Sequence, residues 1–511
     1  MSNRRITPLG PLLTAFAASG VMMGSTALAA AGETSCSKLS TAAFPQTTIS
    51  GAKEVAAGAK TPAYCEITGV ISPVKDSHIG VVYRLPDKWN GKLLGLGGGG
   101  WAGNVRPGTA APGLAQGYAT AQTDAGHDTS NVWDTSWAAS PAQVDDFAHR
   151  AIHLMTTTGK AVVTRYYGQR QKEAYFQGCS TGGRQALMEV QRYPDDYNGV
   201  ISGAPVYTLT TQTMALLRSL AFSRPGATVT VAQLGHLNDA VLAACDANDG
   251  VRDGIVTDPR TCHFDPAVIE CRKGESGDNC LSAAQVAAVR SVYAGVKAPD
   301  GEYASYPLAL GSERGWDRFI ATGKPATSQT LATTVVGAGL GGLRTALFGN
   351  PDFDLAQFSA ARDFRTVRSS AFAREYEAKE PNIAPFLRKG GKLILWHGFD
   401  DPGPSPLATI DYYHQVQRVT GNKAGPLDAG LRFFLVPGVY HCRGGPGADE
   451  FDSLGALADW VENGKAPETM LATRADGKLS RPLCRYPALP HYKGSGDPAS
   501  ADSFECRASG S

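Results

Sequence analysis

The stretch Tyr175-Phe176-Gln177-Gly178-Cys179-Ser180-Thr181-Gly182-Gly183-Arg184-Gln185-Ala186-Leu187-Met188 decides how this chain is read. Its centre, Gly178 to Gly182, is a G-x-S-x-G pattern. EAYFQG (173–178) reads as a short strand, and GGRQALMEVQRYP (182–194) as a helix stopped by Pro194. A strand, a tight turn and a helix form the setting in which this pattern holds an exposed nucleophilic serine. The serine backbone is strained there, and its neighbours must be small enough to leave room. The bare pattern recurs by chance, so the setting carries the reading.

The alternation continues on both sides. IGVVYRLP (79–86), KLLGLGGGG (92–100) and GYATAQTD (117–124) read as strands. DDFAHRAIHLMTTTGKAVVTRYYG (145–168) has apolar residues at helical spacing and ends on Gly, and GVISGAP (199–205) is a further strand. Strands alternating with helices imply a parallel sheet with helical crossovers. From 207 to 375 the chain has short helical stretches, an acidic Gly-rich loop and little strand signal. Strand signal returns in GGKLILWHGFDD (390–401) and LRFFLVPG (431–438), with helices expected in TIDYYHQVQRV (409–419) and FDSLGALADWVENG (451–464). The expected organisation is therefore an α/β core in two parts, 31–206 and 376–511, split by an inserted domain at 207–375. The tail after 470 is rich in Pro, Gly and Ser.

With 511 residues, 42% of them hydrophobic, the chain can bury a large core. A net charge of +1 gives no reason to expect a nucleic-acid partner or an acidic membrane surface. Residues 1–30 read as an export signal: Arg4 and Arg5, a mainly apolar Leu9 to Met23, then Ala27-Leu28-Ala29. No cysteine follows that cleavage pattern directly, and no other stretch is apolar enough to span a bilayer, so the expectation is a secreted or periplasmic protein.

Export favours disulfides among the ten cysteines. Sequence alone does not fix their pairing, but spacing suggests Cys36–Cys65, Cys245–Cys262, Cys271–Cys280 and Cys484–Cys506. Cys179 and Cys442 are left over. Zinc is a poor alternative, because no C-x-x-C occurs.

A nucleophilic serine needs a base, and the base needs an orienting carboxylate, in the chain order Ser, Asp, His for this kind of elbow. The acid falls in His397-Gly398-Phe399-Asp400-Asp401, where Asp400 and Asp401 compete. The base is His441, in VPGVYHC after strand LRFFLV. If Ser180 and His441 meet, Cys179 and Cys442 meet beside them. Oxyanion donors are expected from Thr181, next to the nucleophile, and from the Gly97–Gly100 run. A second cluster, DANDGVRDGI (246–255), sets Asp246, Asp249 and Asp253 among turning glycines, which suits a hard cation and outside the cell calcium. No Glu closes it as an EF-hand.

GCSTGG, HGFDD, PGVYHC-GG, WNGKLLGLGGGG and CDANDGVRDGI together resemble the tannase and feruloyl esterase family, which includes bacterial mono(2-hydroxyethyl) terephthalate hydrolase. The resemblance implies an α/β-hydrolase with an inserted lid. It implies Ser180 as nucleophile, Asp401 as acid through the pattern H-G-x-x-D, and His441 as base. Gly100 and Thr181 match the oxyanion donors. Asp246, Asp249 and Asp253, with the carbonyls of Val251 and Ile255, match a structural Ca2+ site, and all five cysteine pairs match. Thr181 stands where the terephthalate enzyme has glutamate. The stretch nearest that enzyme's carboxylate-binding arginine reads Gly315-Trp316-Asp317-Arg318. The expected substrate is a small aromatic ester of hydroxycinnamoyl or galloyl type, free or attached to plant polysaccharide or polyphenol. The alternatives are a terephthalate half-ester hydrolase and a non-catalytic polyphenol- or carbohydrate-binding relative.

Overall fold

A computed structural model describes residues 35–127, 130–320, 339–424 and 427–508. The expected export signal, 1–30, lies outside the described residues. Nine strands form one sheet: β1 (Thr47–Val55), β2 (Tyr64–Ile71), β3 (Ile79–Pro86), β4 (Lys92–Leu96), β5 (Ala119–Thr123), β6 (Glu173–Cys179), β7 (Gly199–Gly203), β8 (Lys392–Gly398) and β9 (Leu431–Val436). Their order is β1-β2-β3-β5-β4-β6-β7-β8-β9. The pairs from β5 through β4, β6, β7 and β8 to β9 are parallel. The pairs β1/β2, β2/β3 and β3/β5 are antiparallel, so the sheet is mixed where the strand–helix alternation implied a parallel one. IGVVYRLP joins it through a hairpin-like approach from β2, with no helix between to reverse the chain. β1 was not legible in the sequence; none of its nine residues is buried, so it carries no clean alternation.

β7 and β8 are buried almost throughout and β6 through Ala174, Tyr175 and Phe176, as expected for parallel strands covered on both faces. β9 is buried although it ends the sheet order. The tail explains this: Tyr486 N–H donates to the Phe433 carbonyl at 2.7 Å, and Arg485 bridges Phe434. The tail, rich in Pro, Gly and Ser, contributes strands Thr469–Thr473, Ser480–Cys484, Ala488–Tyr492 and Phe504–Ala508. It covers an edge that would otherwise offer unpaired backbone.

Helices α1 (Ala151–Tyr167) and α2 (Thr181–Arg192) follow the expected crossovers. Between β7 and β8 the chain builds α3 (Leu216–Ala221), α4 (Val231–Cys245) and α5 (Ala283–Ala294) around their own apolar centre of Phe222, Leu234, Leu237, Val289 and Trp316. Reciprocal caps fix two of these starts: Thr230 with Gln233, and Ser282 with Gln285. From Leu340 onward the same connection returns to the main core, where Phe372 and Tyr376 pack on Trp101. Arg184 of α2 is fully buried there, donating to the carbonyls of Phe147, Ala148 and Tyr376. That bonding anchors the helix that carries the serine turn. No helix among the described residues is long and apolar enough to cross a membrane.

Candidate active site

The carboxyl ends of β6, β8 and β9 lie at the same end of the parallel part of the sheet, with β7 between β6 and β8, and each is followed by one of the residues expected to act together. Ser180 sits between β6 and α2 with φ 63° and ψ −121°, a conformation that costs free energy in an L residue. The turn holds because Ser180 N–H donates to the Gly203 carbonyl at 3.0 Å and its own carbonyl accepts from Arg184 N–H at 3.0 Å. A Cβ on Gly178 would lie 2.4 Å from the Gly182 carbonyl carbon, so the elbow closes only around glycine.

Ser180 Oγ lies 2.8 Å from His441 Nε2, and His441 Nδ1 lies 2.7 Å from Asp401 Oδ2. Asp401 is fully buried and His441 partly exposed. Burial alone would raise the Asp401 pKa. The charges and hydrogen bonds of His441 and His397 outweigh that burial and hold it at about 2. Asp400, the other aspartate of the motif, points away: its Oδ1 accepts from Gly438 N–H at 3.3 Å. Burial, reinforced by the Glu313 charge, pushes its pKa well above the ordinary range. Of the two aspartates left open by residue order, Asp401 is the one bonded to His441.

His397 was not singled out in the sequence as more than part of the acid motif. It is fully buried, with Nε2 at 3.2 Å from Asp401 Oδ2 and 3.1 Å from the Pro404 carbonyl, and Nδ1 at 2.8 Å from Thr409 Oγ1. Two acceptors at Nε2 and a hydroxyl at Nδ1 assign the proton to Nε2. Gly403 N–H donates to the other oxygen of Asp401 at 2.8 Å. The carboxylate is therefore held on both oxygens. The signal was the spacing of His397 from Asp401, four residues along one strand end.

Thr181 opens α2, so its N–H has no carbonyl partner within the helix. Its hydroxyl donates to the Gly100 carbonyl, which ties the two expected oxyanion donors together. Gly100 has φ +62°, and a Cβ there would sit 2.6 Å from the Val132 carbonyl oxygen. Gly100, Ser180 and His441 open on one cavity of about 340 Å3. Its walls include Trp133, Val206, Phe319, Pro402 and Tyr440, none of which sequence order indicated, because they come from four separate connections. Trp316, by contrast, turns into the centre of the inserted region and is fully buried.

The chain belongs to the tannase and feruloyl esterase family. The family profile, described as tannase and feruloyl esterase, matches residues 65–507. A "Probable feruloyl esterase" of Arthroderma benhamiae is 34% identical over 84% of this chain and 82% of its own. The mono(2-hydroxyethyl) terephthalate hydrolase of Piscinibacter sakaiensis is 32% identical over 89% of this chain and 87% of its own. Feruloyl esterase B of Aspergillus oryzae superposes with a TM-score of 0.82 at 27% identity, covering 92% of this chain and 99% of that one. The fold is accordingly the α/β-hydrolase type, and this family member is a carboxylic ester hydrolase.

All ten cysteines are paired: Cys36–Cys65, Cys245–Cys262, Cys271–Cys280 and Cys484–Cys506 as their spacing suggested, and the two left over, Cys179 and Cys442, with each other. Cys179 and Cys442, with Cα atoms 6.0 Å apart, join the residue before Ser180 to the residue after His441.

The acidic loop lies away from this cavity. Asp246 and Asp249 are buried, and Asp253 is nearly so. Asp246 accepts from the N–H groups of Asp253 and Gly254, and Asp249 from Val251 N–H and Thr257 Oγ1. Asp253 pairs with Arg481 of the tail. Three buried carboxylates facing one bonded cation leave negative charge to be balanced, and an oxygen-only donor set suits a hard divalent ion. Among the described residues, the one set of three His, Cys or carboxylate atoms drawn within 4.8 Å is elsewhere: Asp145, His149 and Glu375. There Arg150 already faces Asp145 and Arg192 faces Glu375, so the charge is balanced without an ion.

Proposed function

We propose that this esterase hydrolyses esters of aromatic acids, hydroxycinnamoyl or galloyl, through an acyl-enzyme on Ser180. The observation that carries the reading is the unbroken Ser180–His441–Asp401 hydrogen-bond chain opening on a cavity with Trp133, Phe319 and Tyr440 in its walls. Ser180 Oγ attacks the ester carbonyl while His441 Nε2 takes its proton. The tetrahedral oxyanion is stabilised by the N–H groups of Gly100 and Thr181. On collapse His441 returns the proton to the departing alcohol oxygen. Water then enters, gives its proton to His441 and releases the acid, and the proton returns to Ser180. Asp401, ionised throughout, keeps a proton on Nδ1 and stabilises the imidazolium. Apolar walls and stacking rings favour an aromatic acyl group over an aliphatic one.

Residues 207–375 serve as the lid over this cavity, and residues 1–30 direct export, consistent with five disulfides. Asp246, Asp249, Asp253 and the carbonyls of Val251 and Ile255 hold a structural Ca2+ ion, which supplies charge balance in a buried loop. A terephthalate half-ester is the second reading: the relative from Piscinibacter sakaiensis is named for it, and Arg443 offers a cation at the same cavity. The test is a panel of methyl ferulate, methyl gallate, chlorogenate and the terephthalate half-ester, with Ser180→Ala as control. Aromatic ester turnover falling about 10⁴-fold or more in the variant is expected. Undiminished hydrolysis by Ser180→Ala would overturn the mechanism, and a preference for aliphatic esters the substrate class.

A further inference from the structure

Arg218, in α3 of the inserted region, is 3% exposed. A buried guanidinium is expensive unless paired, and arginine usually finds a carboxylate. Among the described residues Arg218 bonds to none. Its Nη1 donates to the carbonyls of Pro402, at 3.4 Å, and Gly403; its Nη2 donates to the Tyr306 carbonyl at 3.1 Å. Desolvation lowers its pKa to about 10, and the opposing charge that acts on it is that of Asp401. It remains a cation at neutral pH.

The turn it holds is the one that positions the acid. Gly403 donates its N–H to Asp401 Oδ1 while its carbonyl accepts from Arg218. The next carbonyl, of Pro404, accepts from His397, the second histidine on Asp401. Other residues of the inserted region press on the same place. A Cβ on Gly403 would lie 2.8 Å from the Phe319 ring, and that ring stands edge-on to His441 at 5.8 Å. Arg218 does not itself line the cavity.

We infer that Arg218 is a positioning residue for the Ser180–His441–Asp401 chain. By gripping the Pro402 and Gly403 carbonyls it pins the turn after Asp401 to the inserted region, so the 2.7 Å bond from Asp401 to His441 depends on that region being docked. The inference rests on the triad reading above. It assigns the inserted region a part in assembling the chemistry as well as in enclosing substrate.

The test uses full-length Arg218→Met and Arg218→Lys, assayed well below their melting temperatures with methyl ferulate, and labelled at Ser180 with a fluorophosphonate. For Arg218→Met, kcat should fall about a hundredfold, the loss expected for a displacement near 1 Å in a catalytic group, with KM nearly unchanged. The Ser180 labelling rate should fall in parallel, because it reports activation of the serine. Arg218→Lys keeps the charge but not the fork that spans two carbonyl sites, and should lose about tenfold. A merely structural role would lower the melting temperature and leave kcat and labelling alone. A folded Arg218→Met with kcat and labelling within about twofold of the wild type overturns the inference; if Met does not fold, the same result for Arg218→Lys does so. Ser180-independent hydrolysis by the wild type would instead sink the reading of function, so the two failures are distinguishable.

Discussion

Asp400 and Asp401 are neighbours in sequence and opposites in environment. Asp401 faces two histidines and a backbone N–H and stays ionised; Asp400 faces one N–H and the Glu313 charge, and burial favours its neutral form. Asp401→Asn should lower kcat by about 10⁴, the loss expected when the histidine tautomer is no longer held. Asp400→Asn should keep kcat within a few-fold, since a neutral amide resembles a protonated acid. Equal losses in both variants would refute the assignment. The same contrast gives a pH prediction. An acid with a raised pKa is protonated in the fold and ionised in the unfolded chain, so the fold loses stability as pH rises above the ordinary carboxylate range. Asp400→Asn cannot ionise. Its melting temperature should exceed the wild type's at pH 8, and the gap should close toward pH 4. A constant gap across that range would count against a neutral Asp400. Sequence order offered both aspartates, because it records neither which way a side chain turns nor what it meets there.

The elements around the site were readable where their periodicity was local. β6, the elbow and α2 carry their own signal, since a buried strand, small residues and a helix stop are all written in consecutive residues. β8 and β9 are continuous apolar runs for the same reason. The walls of the cavity were not readable. Trp133, Phe319 and Tyr440 meet only after the chain has folded, and no spacing links them. Cys179 and Cys442 bridge the two kinds of information, a local motif on each side and a contact 263 residues apart. Their disulfide ties the elbow to the histidine loop. Closing a loop of that length is worth roughly 5 kcal/mol in the chain-entropy model, as an upper figure. The double variant Cys179→Ser, Cys442→Ser should therefore melt earlier. Assayed well below its melting point it should also lose about ten- to a hundredfold in kcat, because His441 is no longer fixed against Ser180. Full activity at low temperature would leave the bond a purely thermodynamic role.

On the scale of the whole molecule, the acidic loop is a junction. It belongs to the inserted connection between β7 and β8, but it also reaches outside it. Asp253 pairs with Arg481 of the tail, and a Cβ on Gly250 would meet His491 of the tail. Ile255 packs with Trp396, Val436 and Val439, and its Cγ1 lies 3.2 Å from a Cβ built on Gly438, three residues before His441. The loop thus joins the inserted region, the tail that covers β9 and the base of the histidine loop. A Ca2+ ion there would act on all three through stability and would have no path to the reacting atoms, since the loop lines no part of the catalytic cavity. An ion bound only by the folded chain stabilises it by about 2.7 kcal/mol at a hundred times its dissociation constant, enough to move a melting transition by several degrees. Chelation should therefore lower the melting temperature, and restored calcium should return it. Activity at 25 °C should change far less than thermal stability. Asp249→Asn should make the melting temperature insensitive to both treatments, because it removes a carboxylate from the donor set while keeping an acceptor for Thr257. Complete loss of activity on chelation with an unmoved melting temperature would place the ion in the chemistry and reject the structural role. A melting temperature indifferent to chelator and calcium alike would remove the ion from this loop.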